Sequence, residues 1–321
     1  MKIALLFPGY GSQFVGMGKE LYDDYRIVQE YFEEAANCLD HNFVKLCFAS
    51  SDIELSKMDR AYASIFLVSS AIYAVLKEIG VEPALVAGYN IGEYSALFAA
   101  GSITLPDGLY LINKFAGFYE KALETMQIDV IRVRGIDAKR MKKICMQASA
   151  DDAQADIAIY NSDTDHVISG HTSALVRVRE LSKNEDDAII EDLSPEIGLY
   201  SNLMQPIADE FKIYLEKVDF KDVKIPMISG IDGRVIIQGE DIKQRVVAHI
   251  TSPIMWARVL EGLQDVDLII EVGPGNTLEG MITQMYPEKK YISINKRTDI
   301  EALKTLLPQT EVIEQTETTE S

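Results

Sequence analysis

The chain has 321 residues, 47% of them hydrophobic and 25% charged, which is enough for one large domain or a large domain carrying a small one. Its net charge of −19 argues against non-specific binding to nucleic acid or to an anionic membrane. No run reads as long and apolar enough to span a bilayer; the longest candidate, Ser64 to Leu76, is interrupted by Ser69 and Ser70.

The N-terminal apolar run Ile3–Phe7 is too short for a signal peptide, ends at Pro8-Gly9, and reads as a buried first strand. A glycine-rich turn (Pro8-Gly9-Tyr10-Gly11-Ser12) follows, then an amphipathic helical region near Lys19–Cys38. A buried helix at Tyr62–Ile79 precedes a strand at Leu85–Ala87. The strand runs into Gly88-Tyr89-Asn90-Ile91-Gly92-Glu93, which opens a helix through Ala100. Apolar strands alternating with helices argue for a parallel sheet covered on both faces. Between 127 and 196 the pattern changes. A strand (Ile128–Val133), a helix (Asp137–Gln147), two strands (Ala155–Ile159 and His166–Gly170), a helix (Ser173–Lys183) and a strand (Ala188–Glu191) spell the β-α-β-β-α-β order of a ferredoxin-like unit. Helix resumes at Ser201–Val218, followed by strands at Ile225–Ser229 and Leu268–Val272 and a second glycine-rich turn at Gly273–Thr277. The fold class is therefore α/β: an α/β-hydrolase-like parallel core of residues 1–126 and 197–307 with an inserted ferredoxin-like subdomain at 127–196. Residues 308–321, rich in Glu and Thr, read as a disordered acidic tail.

Three scattered cysteines (Cys38, Cys47, Cys145) have no metal-ligand spacing, and the four histidines form no motif, so neither a metal nor a cofactor is expected and a reduced, cytoplasmic setting fits. The informative stretch is 88–93. Two glycines bracketing a strand-to-helix turn are the frame of a nucleophile elbow, which holds a serine at its apex. Here the apex is Asn90, and an amide is not a nucleophile at neutral pH.

With these motifs in place, the chain resembles the malonyl-CoA:acyl carrier protein transacylases and the acyltransferase domains of polyketide synthases over about residues 1–305. The resemblance rests on Phe7–Gln13, Gly88–Leu97, Tyr160-Asn161-Ser162, Tyr200–Pro206, Ser252–Trp256 and Glu271–Gly275. It implies a ping-pong mechanism: a serine attacks a malonyl thioester, a histidine takes its proton, an arginine pairs with the free carboxylate, and backbone N–H groups hold the oxyanion. The acyl group then passes to the phosphopantetheine thiol of an acyl carrier protein. In this sequence the serine position is Asn90 and the histidine position is Tyr200. The arginine position is Phe115, or Lys114 if the alignment slips by one. The first-loop glutamine is Tyr10, a pocket glutamine falls on Tyr62, and the residue before the nucleophile is Tyr89. Asn161 matches, and the oxyanion donors would be the N–H groups of Tyr10 and Ile91.

Nucleophile, base and clamp positions change together, so the resemblance points to a catalytically degenerate homologue that binds, scaffolds or activates a partner. The alternative is an active transacylase or acyl hydrolase using unconventional residues. Ser95 lies inside a helix, Ser12 in the first glycine turn, and Cys145 on a distant helix; Ser201 adjoins the old base position but has no visible base. Tyr10, Tyr62, Tyr89, Phe115 and Tyr200 are all aromatic, and each ring buries about 150–250 Å². Three readings stand: unrelated core fillers, a self-packed closed cleft, or a reshaped aromatic pocket. Glu93, in the first turn of the helix after the elbow, suits the positive end of the helix dipole or a structural ion pair. Finally, Arg132, Arg134, Lys139, Arg140, Lys142 and Lys143 crowd 131–143, either as a solvated face or as a docking patch for an acidic carrier protein or its phosphopantetheine arm. An active acyltransferase or a ketosynthase is the other partner that the resemblance implies.

Overall fold

The computed structural model describes residues 1–198 and 200–308; the tail expected at 308–321 lies, beyond Pro308, outside the described residues. Among the described residues ten strands form two sheets. The first contains β1 (Ile3–Phe7), β2 (Leu85–Gly88), β7 (Met227–Ile228), β8 (Val235–Ile236), β9 (Leu268–Val272) and β10 (Lys290–Ile294) in the order β10-β9-β1-β2-β7-β8. Every pairing is parallel except the outermost, where β8 runs antiparallel to β7. All five residues of β1 and of β9 are buried, as expected of central strands covered on both faces.

The second sheet is antiparallel and ordered β4-β5-β3-β6, from β3 (Ile128–Arg134), β4 (Ala155–Ser162), β5 (Asp165–His171) and β6 (Ile189–Leu193). Two helices, Ala138–Ala148 and Thr172–Ser182, cover one face of it around a separate core of Ile131, Val133, Met141, Ile144, Ile168, Leu175 and Val178. The two sheets are stitched where the edge strand β4 meets the segment before Trp256. Ile159 bridges Ile254, with Tyr160 N–H on the Ile254 carbonyl and Ile254 N–H on the Ala158 carbonyl, both at 2.8 Å.

The strands β8 and β10 fall outside the sequence expectation, β7 is shorter than the strand expected at Ile225–Ser229, and three helical elements differ from it. The region 19–38 is two helices, Lys19–Asp24 and Arg26–Leu39, because Tyr25 adopts an extended backbone that ends one and starts the other. The helix expected from Ser201 starts at Gln205 after a short 3-10 turn at Asn202–Met204; Pro206 sits in its first turn, where a missing N–H costs nothing. The third is the helix Met58–Glu78, which is long and apolar enough by composition to cross a membrane, contrary to the expectation that no run was. Ser69 and Ser70 do not interrupt it. They are fully buried within it, and the helix runs through the core against the helix Leu105–Thr125.

Two glycines set the approach of the sheet to the turn after β2. A Cβ on Gly92 would lie 2.2 Å from the Phe7 carbonyl oxygen, and one on Gly88 would lie 2.2 Å from the Glu93 nitrogen. Neither obstacle is a movable side chain. Gly92→Ala should therefore destabilise the chain by about 3 kcal/mol, read as a fall in the denaturation midpoint at unchanged m-value. A loss under about 1 kcal/mol would show that the first loop can retreat.

Candidate functional site

The turn after β2 places Asn90 at its apex, fully buried and in the left-handed region at φ 60°. Asparagine is among the few non-glycine residues that tolerate this conformation, so the residue suits the backbone. The turn is tied by Tyr89 N–H to the Phe7 carbonyl (2.9 Å) and Gly92 N–H to the Tyr89 carbonyl (3.0 Å). The first glycine loop presses against it so closely that a Cβ on Gly9 would lie 2.6 Å from the Asn90 Cβ.

The Asn90 carboxamide is engaged at both ends. Its Oδ1 accepts from Ile91 N–H and, at 3.5 Å, from Tyr10 N–H, the two donors that the resemblance assigns to an oxyanion. Its Nδ2 donates to the Ile197 carbonyl. Ile197 ends a single 3-10 turn, Pro195–Ile197, lying between β6 and the elbow. Tyr62 Oη donates to the Glu196 carbonyl at 2.5 Å, and Tyr119 Oη to the Pro195 carbonyl at 2.8 Å. Burial pushes the Tyr62 phenol well above its usual range, so the hydroxyl remains a donor.

Of the five aromatic positions, three share one ring cluster. Tyr62 stacks on Phe115 at 6.3 Å, Tyr10 meets Tyr62 edge-on at 5.9 Å, and Tyr119 and Phe211 each contact Phe115 at 5.7 Å. The Tyr10 hydroxyl turns outward to the Ser56 carbonyl at 3.1 Å. Phe115 rather than Lys114 faces this cluster; the Lys114 ammonium lies 5.6 Å from the Tyr214 ring. Tyr89 points elsewhere. Its ring meets Trp256 at 5.0 Å and its hydroxyl donates to Asn161 Oδ1 at 3.0 Å. Asn161 Nδ2 then donates to Asp165 Oδ1 at 3.3 Å, and Asp165 grips Arg132 through both carboxylate oxygens.

Tyr200, also in the left-handed region at φ 40°, is buried. Its ring lies 5.1 Å from the His249 ring and against Gly198, where a Cβ would meet the phenol at 2.3 Å. Burial, reinforced by Tyr62, Tyr119, Tyr89 and Glu93, holds its phenol well above the usual range and so protonated. The three positions that carry serine, histidine and arginine in the resemblance thus hold a tethered amide, a protonated phenol and a phenyl ring.

The sequence reading passed over three participants. Tyr119 was findable, since it lies one helical turn beyond Phe115 on the same face. Trp256 ends the Ser252–Trp256 motif, which does not say what its ring touches, and His249 belongs to no motif. His249 Nε2 lies 3.5 Å from Glu93 Oε2, both side chains are buried, and neither atom has a hydrogen-bond partner. Burial raises the Glu93 carboxyl to about 8, partly offset by the Gly230 backbone, and lowers the His249 imidazole to about 4. At neutral pH the two are therefore an uncharged contact rather than an ion pair.

Other hydroxyls and thiols are placed as follows. Ser12 Oγ donates to the Gly9 carbonyl at 2.7 Å. Ser95 is buried inside the helix Gly92–Ala100. Cys145, its thiol pushed up to about 12 by burial, and Ser201, buried with no partner for Oγ, both line a groove of about 670 Å³ between the two sheets, with Asp156, Tyr160 and Pro253. Three of the six clustered bases are engaged within the second sheet's layer: Arg132 with Asp165, Arg134 with Glu191 and Arg140 with Glu185. Lys139, Lys142 and Lys143 are exposed, and Lys142 lines the groove. Among the described residues no group of His, Cys, Asp and Glu side chains could hold a metal ion.

Residues 4–297 match the acyl transferase domain family. The chain is 32% identical over 308 residues to the malonyl CoA-acyl carrier protein transacylase of Bacillus subtilis, covering 95% of this chain and 97% of that one. Its fold is the acyltransferase fold. The acyl carrier protein S-malonyltransferase of Vibrio cholerae superposes with a TM-score of 0.90 at 28% identity, over 94% of this chain and 100% of that one. A malonyl-transacylase crystallised with a type II polyketide synthase acyl carrier protein gives 0.90 at 26% identity, over 95% of this chain and 100% of that one.

The buried Glu93–His249 contact generates a pH prediction. Glu93 is raised from 4.5, so its contribution is fully present below about 4.5 and drains away as pH rises towards 8. His249 is lowered from 6.5, so its contribution is present above 6.5 and drains away as pH falls towards 4. Glu93→Gln removes only the first dependence. Relative to the parent, its unfolding free energy should rise by on the order of 2–3 kcal/mol between pH 5 and pH 8.5, measured by denaturant titration. A pH-independent difference would mean that Glu93 is already ionised in the folded chain.

Proposed function

This chain belongs to the acyl transferase domain family, and on that premise we propose that it serves a carrier-protein-dependent fatty acid or polyketide pathway as a malonyl-CoA:acyl carrier protein transacylase-like protein whose elbow carries out no serine-type acyl transfer. Its work would be that of a binding, scaffolding or partner-activating subunit. The observation that carries this reading is the position of the Asn90 carbonyl oxygen on the Tyr10 and Ile91 N–H groups. A tetrahedral intermediate needs those donors at the developing oxyanion. Here a side chain of the protein takes them, and the same side chain replaces the nucleophile. In the serine-protease case, loss of the serine or histidine alone costs roughly 10⁶ in rate, more than oxyanion stabilisation by backbone donors returns. Phe115 supports the reading from the substrate side, because an apolar ring gives a malonyl carboxylate no counter-charge.

In this reading residues 1–126 and 197–307 form the large subdomain and 127–196 the small one. The acyl carrier protein is the partner, by likeness to the relative crystallised with its carrier. The exposed Lys139, Lys142 and Lys143, of which Lys142 lines the groove, supply positive charge for an acidic surface, and Arg132, Arg134 and Arg140 are paired with acids of the second sheet's layer. A second reading, an active transacylase or acyl hydrolase with unconventional residues, is favoured by the names of the relatives. Its best-placed hydroxyl in this chain is Ser201, buried, without a partner, and on the groove wall.

Intact-protein mass spectrometry after incubation with malonyl-CoA separates the two. The expected result is an unchanged mass. A covalent adduct that disappears on Ser201→Ala, or on any other single substitution, would establish the active enzyme instead. For the partner, the double charge reversal Lys142→Glu/Lys143→Glu should weaken binding of an acyl carrier protein roughly tenfold at low salt, with the difference shrinking as salt is added. An unchanged dissociation constant would remove the lysine patch from the interface.

A further inference from the structure

Residues 194–198 follow β6 of the second sheet, and their contacts with the elbow follow a pattern. Three consecutive carbonyls, those of Pro195, Glu196 and Ile197, each accept from a different side chain of the large layer: Tyr119, Tyr62 and Asn90. Among the described residues the turn closes with two bonds of its own, Ile197 N–H to the Ser194 carbonyl and Gly198 N–H to the Pro195 carbonyl, both at 3.1 Å. The Pro195 carbonyl takes Tyr119 as a second donor beside Gly198 N–H, while the Glu196 and Ile197 carbonyls, at the end of a single 3-10 turn, are natural acceptors for side chains beneath. The side chains of Pro195, Glu196 and Ile197 are themselves half-buried rather than locked into a core.

The C-terminal flank of the turn is special. Gly198 at φ 111° and Tyr200 at φ 40° lie in the left-handed half of conformational space, and the Tyr200 ring leaves no room for a side chain at 198. A buried tyrosine held there stores strain, which persists only while neighbouring contacts enforce it.

We propose that Pro195–Ile197 is a strap shut over the elbow by a three-point latch of Tyr119, Tyr62 and Asn90, and that a thioester could reach the Tyr10 and Ile91 N–H groups only once the strap had lifted. The proposal deepens the acyl transferase reading of this site and rests on it. It also explains the residue type at 90. A carboxamide carries an acceptor at one end and two donors at the other. It can therefore fill the N–H pair and hold the Ile197 carbonyl at once, which a serine hydroxyl is too short to do and an aspartate lacks the donor to do.

Hydrogen–deuterium exchange on the full chain tests this, with the amides of Ile197 and Gly198 as reporters. In the parent these two amides should share one opening that is easier than global unfolding, as a hinged unit does. Exchange only through global unfolding would overturn the strap. Tyr62→Phe and Tyr119→Phe keep the rings and remove one donor each. Each should speed the reporters roughly fivefold and the pair together more than roughly twentyfold, with β1 and β9 unchanged. Asn90→Asp, which sets a carboxylate against the Ile197 carbonyl, should act in the same direction. Unchanged reporter exchange in the double variant and in Asn90→Asp would also overturn it. The measurement involves no thioester chemistry. Acylation of the parent would sink the proposed inactivity of the elbow and leave the strap to be judged on exchange alone.

Discussion

Almost everything in this molecule's site follows from how little room there is at the turn after β2. Backbone from the first glycine loop, from the elbow and from the start of the following helix converge within contact distance, and Gly9, Gly88 and Gly92 are glycines because a Cβ at any of them would strike a neighbour's backbone or the Asn90 side chain. That crowding forces residue 90 into a left-handed conformation and aims its side chain at the two adjacent N–H groups. The same geometry that would hold a nucleophile beside an oxyanion site therefore holds an amide inside it.

The polar groups around the elbow find their partners inside the molecule. Asn90, Tyr62 and Tyr119 spend their hydrogen bonds on one strand of backbone. Tyr89 spends its own on Asn161, and the run continues through Asp165 to Arg132 in the second sheet. Buried donors without partners are costly, and these contacts satisfy the donors around the elbow from within the chain. The Glu93–His249 contact is one place where this is incomplete, as are the Ser95 and Ser201 hydroxyls and the Trp256 indole N–H. Glu93 and His249 stay neutral by burial instead of pairing.

The sequence made the α/β class, the elbow and most elements legible because apolar periodicity and paired glycines are local signals. The break at Tyr25 was invisible because the amphipathic period runs through it. The start at Gln205 was readable from Pro206 and was overlooked. Substitution at the elbow could be seen residue by residue, but the strap could not. It is a set of backbone carbonyls, and Pro195-Glu196-Ile197 has no side-chain pattern to mark it. Five aromatic residues suggested one shared pocket. The structure gathers Tyr10, Tyr62 and Phe115 with Tyr119 and Phe211, while Tyr89 and Tyr200 pack against Trp256 and His249. Spacing in sequence cannot say which side of a turn a ring will take.

The basic cluster at 131–143 shows the same limit and constrains where a partner can act. By composition it is six equivalent cations. In three dimensions its arginines brace the second sheet, with Arg132 joined to the elbow through Asp165, Asn161 and Tyr89, and its lysines face solvent. A partner drawn to those lysines would sit on the helix Ala138–Ala148, over the groove whose far wall is Tyr200 and Ser201. The strap leaves β6 of that same sheet and ends at Gly198, two residues before Tyr200. Pressure on the second sheet would thus reach the elbow by two covalently distinct routes, one through the Arg132 hydrogen-bond run and one through the strap. Both routes start in the antiparallel sheet and meet at the turn after β2, one at Tyr89 and the other at Asn90.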